Sequence, residues 1–270
     1  MAGLDSLLGL QSLHALAYDG MSGWTLAWVT AVVLVGGLVQ GVIGFGFPLV
    51  VMPLLTPVIG LKAALLLTVI PSTILIFIGI FSGGRLRESV QRFWFLPIVT
   101  LTTAYFGTRV LIGADSRPFV LLLALALLLY LNMERLGKTE ILIVQRHPVP
   151  FTLLAGVIAG GFEALANVAA PPLLIIFMLL KLEPRALAQT MNFAWIGGKI
   201  VQFFTWTIFG GVTLVYWAST VPWTLAALGA FFVGRRVSAR LPPALYVVWL
   251  RRFLWIMSFV LIAQFVYSVA

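Results

Sequence analysis

The chain has 270 residues, of which 61% are hydrophobic and only 9% are charged, and its net charge is +9. A soluble domain carries about 25% charged residues, so this composition excludes a soluble protein and predicts a polytopic membrane protein. Cysteine is absent, which excludes disulfides and thiolate chemistry, and two histidines, His14 and His147, argue against a metal centre. The basic residues lie in short loops between apolar runs, where membrane topology accounts for them better than nucleic-acid binding does.

Apolar segments follow one another along the whole chain, and the first 20 residues lack the basic region that a signal peptide needs. Glycines and prolines interrupt the first segment near 44–48, and the stretch EALANVAAPP interrupts the fifth near 162–171. Both segments are therefore predicted to be broken helices. In chain order the predicted helical segments are 24–59, 62–82, 93–113, 118–133, 150–181, 184–209, 212–233 and 247–269.

The distribution of lysine and arginine indicates how the two broken segments are placed in the membrane. If each enters and leaves on the same side as a re-entrant hairpin, 13 basic residues are cytoplasmic and two, Lys62 and Arg117, are outside. This positive-inside bias favours hairpins over single crossings. It predicts that the tail 1–20 and the C-terminus are both extracytoplasmic and that the linker 134–149 is cytoplasmic. Each hairpin is expected to reach roughly the middle of a ~30 Å hydrocarbon core.

The hairpin interpretation divides the chain into two halves, 21–133 and 150–270. Each half is predicted to be one broken hairpin plus three transmembrane helices, which gives an all-α fold. Because three is an odd number, the second half begins on the opposite side of the membrane and forms an inverted repeat. A shift of 119 residues supports this with five identities, which set Gly37, Gly41, Pro53, Leu54 and Leu55 on Gly156, Gly160, Pro172, Leu173 and Leu174.

The two breaks are the strongest pointers to a substrate site. Non-helical backbone at membrane depth is tolerated where it is buried in protein or lines a cavity. A half-helix that begins there presents unpaired N–H groups, which attract an anion. The alternative for Gly37, Gly41 and Gly44 is that they only allow close helix packing. The candidate substrate-binding residues at the breaks are Gly44, Phe45, Gly46 and Asn167.

The same stretches resemble the TauE/SafE sulfite exporters, also called toluene sulfonate uptake permeases. The similarity lies in GLVQGVIGFGFPLVVMPLL in the first half and in NVAAPPLLIIFMLL and LEPRALAQTMNFAWIGGKIVQF in the second. The resemblance implies a secondary transporter that moves small sulfur-containing or carboxylate anions across a bacterial inner membrane. One stretch departs from the family, because many members have a run of glycines where this chain has residues 163–166 before Asn167.

Segment 184–209 is the most polar of the predicted spans. We predict that Lys199 neutralises the substrate anion or pairs with Glu163, since a charge at that depth costs about 3 kcal/mol. The alternative is a lysine that extends to the outer surface beside Trp206. The neighbouring amides either bind the oxygens of the anion or join helices. The polar residues that fall within about 140° of one another on this helix are Gln189, Asn192, Lys199 and Gln202.

Two further polar candidates stand next to the breaks. Glu163 lies at the predicted tip of the second hairpin, where a buried carboxylate is a candidate for proton coupling. Alternatively, Glu163 is a structural cap of the broken helix near Asn167. Gln40 precedes Gly41 and is a candidate counterpart of Glu163 in the first half.

Together these features predict an exporter of sulfite, a sulfonate or a related carboxylate that works by alternating access around a midplane site. The alternative is an anion channel that uses the same breaks. An enzyme is not predicted, because the spans contain no Ser/His pair, no paired aspartates and no metal cluster. The predicted partners are the anion and the lipid bilayer, without cofactor, metal or nucleic acid, and the interpretation allows proton coupling and a homodimer.

Overall fold

The fold is given by a computed structural model that describes residues 17–82, 84, 86–137 and 142–238, and the single positions 255, 259, 262, 263 and 266. Within these residues every regular element is an α-helix, as the sequence predicts. The predicted segment 247–269 and most of the predicted tail 1–20 lie outside the continuously described residues. The helices are α1 (Gly23–Ile43), α2 (Phe47–Ile59), α3 (Leu61–Ser82), α4 (Leu86–Phe93), α5 (Leu96–Gly113), α6 (Arg117–Gly137), α7 (Leu142–Arg146), α8 (Pro148–Ala166), α9 (Ala170–Leu179), α10 (Pro184–Phe209), α11 (Leu214–Ser219) and α12 (Val221–Ser238).

The described part of the chain contains five stretches that are long and apolar enough to cross a membrane, by length and composition. They comprise α1, α3, α5, α8 and the pair α11 and α12. Helix α10 is longer, at 26 residues, but it carries the predicted polar face. The predicted segment 212–233 is divided near Thr220, because Pro222 in the following turn favours a new helix start.

The first broken segment is a hairpin, as predicted. Its two helices are separated by residues 44–46, hereafter the first break, where Gly44 (φ 92°) and Gly46 (φ 111°) adopt the left-handed backbone that glycine tolerates best. Pro48 lies in the first turn of α2, as its fixed φ favours. The Trp28 indole N–H donates to the Leu54 carbonyl across 3.2 Å, so α2 runs back along α1.

The second broken segment is also a hairpin. Residues 167–169, hereafter the second break, begin with Asn167 in a left-handed conformation (φ 59°), which asparagine adopts more readily than most residues. Pro171 lies in the first turn of α9. Gln145, just before α8, donates to the Leu179 carbonyl at the end of α9 across 3.3 Å, so both ends of this hairpin lie at the same level.

The two legs of each hairpin differ in length. Helices α1 and α8 have 21 and 19 residues, whereas the returning helices α2 and α9 have 13 and 10. At 1.5 Å per residue the returning helices span about 20 and 15 Å, or roughly half of a hydrocarbon core, and the depth of each break in the membrane stays a prediction. Ser238 donates to the Val42 carbonyl across 3.0 Å, which puts the first break beside the end of α12. The glycines before that break continue the helix, and only the positive-φ glycines end it.

Those helical glycines are packing positions, as the alternative interpretation holds. Gly37 and Gly41 press α1 against the backbone of Ala227 and Phe231 in α12. Gly156 and Gly160, their counterparts at a shift of 119 residues, press α8 against α5 at Leu96 and Thr100. In each half, the first helix of the hairpin therefore packs on the third predicted helical segment of the other half, α1 on α12 and α8 on α5. The packing explanation is wrong only for Gly44, which has a positive φ.

Replacing Gly41 by alanine is expected to destabilise the α1–α12 contact, because the added methyl group would overlap the Phe231 carbonyl. Overpacking of this kind costs about 1–3 kcal/mol. Gly161→Ala is the matched control, since nothing lies within 4 Å of its added methyl group and alanine is the better helix former. Thermal unfolding in detergent is the measurement. Equal midpoints for the two variants would mean that α1 and α12 are not packed this closely.

Candidate functional site

Lys199 and Glu163 form a buried ion pair between the two hairpins. The Lys199 Nζ lies 3.4 Å from the Glu163 Oε1, and each residue is about 1% exposed. The structure therefore shows one of the two roles predicted for Lys199, the ion pair with Glu163. The alternative of an outward-extending lysine is wrong, because its side chain is enclosed. Glu163 lies in the last turn of α8, four residues before the break, rather than at the tip itself.

Asn167 and Gln202 complete the surroundings of the Lys199 ammonium. Lys199 donates to the Asn167 Oδ1 and, across 3.2 Å, to the Gln202 Oε1. The Gln202 amide in turn donates to the Glu163 carbonyl across 3.4 Å. The Asn167 amide donates to the Thr68 hydroxyl across 2.8 Å, which ties the second break to α3. A single network thus joins α3, α8 and α10.

A second polar cluster holds the first break. The Phe47 N–H, at the start of α2, donates to the Gln40 Oε1 across 2.9 Å, and the Gln40 amide lies 3.4 Å from the Asn192 Oδ1. The Asn192 amide donates to the Gly44 carbonyl across 2.8 Å. Gln189, one turn earlier on α10, donates to the Ile80 carbonyl of α3. These side chains therefore satisfy backbone groups that the break leaves open.

The predicted polar face of α10 is divided between the two breaks. Asn192 contacts the first break and Lys199 contacts the second. The two residues are seven positions apart, or about 10 Å along the helix. Between them, the Trp195 ring meets the ring of Phe45 edge-on, with the ring centroids 6.3 Å apart. Both rings are about 5% exposed. Phe45, predicted to bind substrate, is thus part of a closed aromatic pair.

Two cavities lie near this aromatic pair, and Trp195 lines the smaller of them. The smaller, about 20 Å³, lies at Lys199, Glu163 and Trp195, between the two breaks. It is lined by both half-helix starts, at Pro48 and at Ala170. The larger, about 440 Å³, reaches inward to Asn192. The described residues contain no group of three or more His, Asp or Glu side chains that could bind a metal ion.

Two buried polar atoms beside the small cavity have no hydrogen-bond partner in the described protein: the Glu163 Oε2 and the Trp195 Nε1. One is an acceptor that can hold a proton, and the other is a donor. The start of α9 at this cavity has no side-chain cap, whereas Gln40 occupies the start of α2. The second break therefore fits an anion better than the first, although the sequence favours them equally.

A protein-family model described as Sulfite exporter TauE/SafE matches residues 29–265. The chain belongs to the TauE/SafE family. Neither a comparison with curated proteins nor one with solved structures gives a match. The family confirms the resemblance read from the breaks and from α10. It makes the chain a multi-pass membrane transporter, not an enzyme, with a small anionic substrate.

In this TauE/SafE protein, sequence reasoning missed two residues of the site. Thr68 lies three residues before Pro71 in α3, and its hydroxyl donates to the Ala64 carbonyl across 2.8 Å. Its oxygen also accepts from Asn167, 99 positions along the chain, which no local pattern reveals. Trp195 carries a weak signal, since it lies one turn after Asn192 and one turn before Lys199 on the same helix face.

Breaking the buried ion pair is expected to cost more than removing it. Lys199→Met leaves the Glu163 carboxylate buried without its cation, which costs about 3–5 kcal/mol. The double variant with Glu163→Gln removes both charges and is expected to recover most of that loss. A double-mutant cycle of thermal unfolding in detergent measures the coupling. Strictly additive effects would mean that the two charges do not interact in the folded protein.

Proposed function

We propose that this protein exports a small sulfur-containing or carboxylate oxyanion, such as sulfite or a sulfonate, by alternating access around Lys199. The observation that carries the proposal is the Lys199 ammonium, which is enclosed between two helix breaks with one carboxylate as its counter-charge. A buried cation is costly unless an anion accompanies it. Lys199 can therefore exchange Glu163 for a substrate anion and remain neutralised throughout.

Competition for Lys199 links the anion to a proton. When an oxyanion takes the place of the Glu163 Oε1 beside Lys199, the displaced carboxylate remains buried in α8. A buried, unpaired carboxylate is stabilised by binding a proton, and its Oε2 already lacks a partner. Anion and proton then bind together and leave together. For a monoanion this transport is electroneutral, so its direction follows the gradients of the anion and of the proton and not the membrane potential.

The aromatic pair of Phe45 and Trp195 is our candidate for the inner gate. Trp195 lines the 20 Å³ cavity at Lys199, and Phe45 lies in the chain between Gly44, which lines the 440 Å³ cavity, and Gly46, which lines the smaller one. A cavity on one side and a closed contact on the other is what a carrier requires at each stage, whereas a channel needs a continuous pore. The exchanged packing of α1 on α12 and α8 on α5 supports two inverted halves.

The positive-inside bias supports an orientation in which the large cavity faces the cytoplasm of a bacterial inner membrane. Arg185 and Arg235 line that cavity, and the basic residues of α4 follow directly after α3, which also lines it. Both termini are then extracytoplasmic. The substrate enters from the cytoplasm, passes Asn192 and the aromatic pair, and reaches Lys199.

Lys199→Ala is expected to abolish transport, because no other described residue supplies a cation at the small cavity. The test is uptake of labelled sulfite, thiosulfate and methanesulfonate into proteoliposomes preloaded with unlabelled substrate. Stimulation by the internal substrate distinguishes a carrier from the alternative channel. Lys62→Met is the matched control, a half-buried lysine that donates to two carbonyls away from the site. Normal flux through Lys199→Ala would exclude the proposed site.

Glu163→Gln is expected to uncouple the anion from the proton. Glutamine is nearly the shape of glutamate but cannot exchange a proton, so anion exchange persists while an acidic exterior no longer drives accumulation. Methanesulfonate is the substrate of choice, since its acid is too strong to cross lipid in neutral form. Accumulation driven by the pH gradient in Glu163→Gln would show that another group carries the proton.

A further inference from the structure

We propose that the 440 Å³ cavity is a second anion-binding site, in which Arg185 and Arg235 hold a hydrated oxyanion before it reaches Lys199. We call it the arginine vestibule; its main lining residues are Gly44, Ser82, Arg185, Asn192, Arg235 and Ser238. The inference rests on the proposed function, since it adds a first binding step to transport through Lys199. Its ligand class is a sulfite, sulfonate or carboxylate oxyanion.

The charge of the vestibule is one-sided. Two arginines line it, and no aspartate or glutamate is among the described lining residues, although Glu183, the N-cap of α10, directly precedes the lining residue Pro184. Arg185, Arg235 and Arg236 are all exposed, but Arg236, next along α12, lies outside the lining. Positive-inside topology accounts for basic residues at this end of the bundle, but it does not place two of them from different helices around one cavity.

Both arginines are placed to bind an oxyanion. The Arg235 guanidinium lies 5.8 Å from the centre of the Phe231 ring, on the cavity wall, and one of its nitrogens contacts the Ser82 hydroxyl at 3.4 Å. A guanidinium has five N–H donors, so most remain for a ligand. Arg185 lies in the first turn of α10, which no side chain caps. The exposed N–H groups of that turn add positive charge in the same place.

The volume of the vestibule distinguishes it from the inner site. At about 30 Å³ per water molecule, 440 Å³ holds an oxyanion together with a hydration shell. The cavity at Lys199, about 20 Å³, has room for one water at most. An anion in the vestibule keeps its water, and it loses that water only on passing Asn192 and the Phe45–Trp195 pair. The anion is thus first bound by charge in the vestibule and loses its water only on the way to the second site at Lys199.

The test uses the natural absence of cysteine. Ser238→Cys introduces one thiol at the vestibule wall, and its reaction rates with an anionic (sulfonate) and a cationic (trimethylammonium) methanethiosulfonate reagent are compared. We expect the ratio of anionic to cationic rates to fall about tenfold in Arg185→Gln/Arg235→Gln, because two nearby charges are lost. Arg236→Gln is the control and is expected to leave the ratio unchanged. An unchanged ratio in the double variant would overturn the proposal.

Binding of substrate is tested by protection of the same thiol, in the Lys199→Ala background and in phosphatidylcholine vesicles. Methanesulfonate or acetate, neither of which reacts with the reagents, is expected to slow labelling there, and Arg185→Gln/Arg235→Gln is expected to remove that protection. Protection by anionic lipid alone would assign the arginines to a headgroup and overturn the proposal, as would no protection at all. If the double variant does not fold, protection of Ser238→Cys with both arginines present decides the question.

Transport kinetics separate this inference from the proposed function. With Lys199 present, the double arginine variant is expected to raise the KM for anion on the vestibule side at least about tenfold and to leave the maximal rate intact. If Lys199→Ala transports normally while protection of the thiol persists, the proposed function fails and the vestibule stands. If Lys199→Ala abolishes transport and the arginine variant leaves KM unchanged, the vestibule fails alone.

Discussion

An ammonium group that is enclosed in an apolar helix bundle must always have an anionic partner, and most of the site follows from this requirement. Lys199 has three N–H donors, and three oxygens surround it, from Glu163, Asn167 and Gln202. Since these partners use every donor, a substrate anion that binds here as proposed has to replace one of them. Glu163 is the partner whose charge matches that of the substrate, so substrate binding and the state of this carboxylate are linked.

The breaks that bring these groups together are themselves held by side chains. A helix interrupted inside a membrane protein leaves backbone groups that lipid cannot satisfy. At the first break Gln40 accepts from the start of α2, and Asn192 donates to the Gly44 carbonyl. At the second break Asn167 ends α8 but turns its side chain to Lys199 and Thr68. The first break is thus held by amide side chains of α1 and α10, whereas the Asn167 amide at the second break contacts the charged Lys199.

Features set by local chemistry could be predicted from the sequence, whereas features set by distant contacts could not. The breaks were predictable because glycine, proline and asparagine allow few other conformations at these positions, and the Lys199–Glu163 pair followed from the cost of a buried charge. The role of Gly41 was not, since the backbone of Phe231 against which it packs lies 190 positions later in the chain. The division of α10 by Trp195 depended on Phe45, 150 positions earlier.

The arrangement also indicates which contacts change during transport. Gly37 and Gly41 fix α1 on α12, and Gly197 presses α10 on the backbone of α5, so both contacts are close and rigid. The first hairpin meets α10 differently, through the amides at Asn192 and the edge of the Phe45 ring. Hydrogen bonds and an aromatic edge can be exchanged for water or substrate at little net cost, whereas backbone packed on backbone cannot. In the proposed alternating-access mechanism the first hairpin therefore moves relative to α10, and the proposed gate lies at this contact.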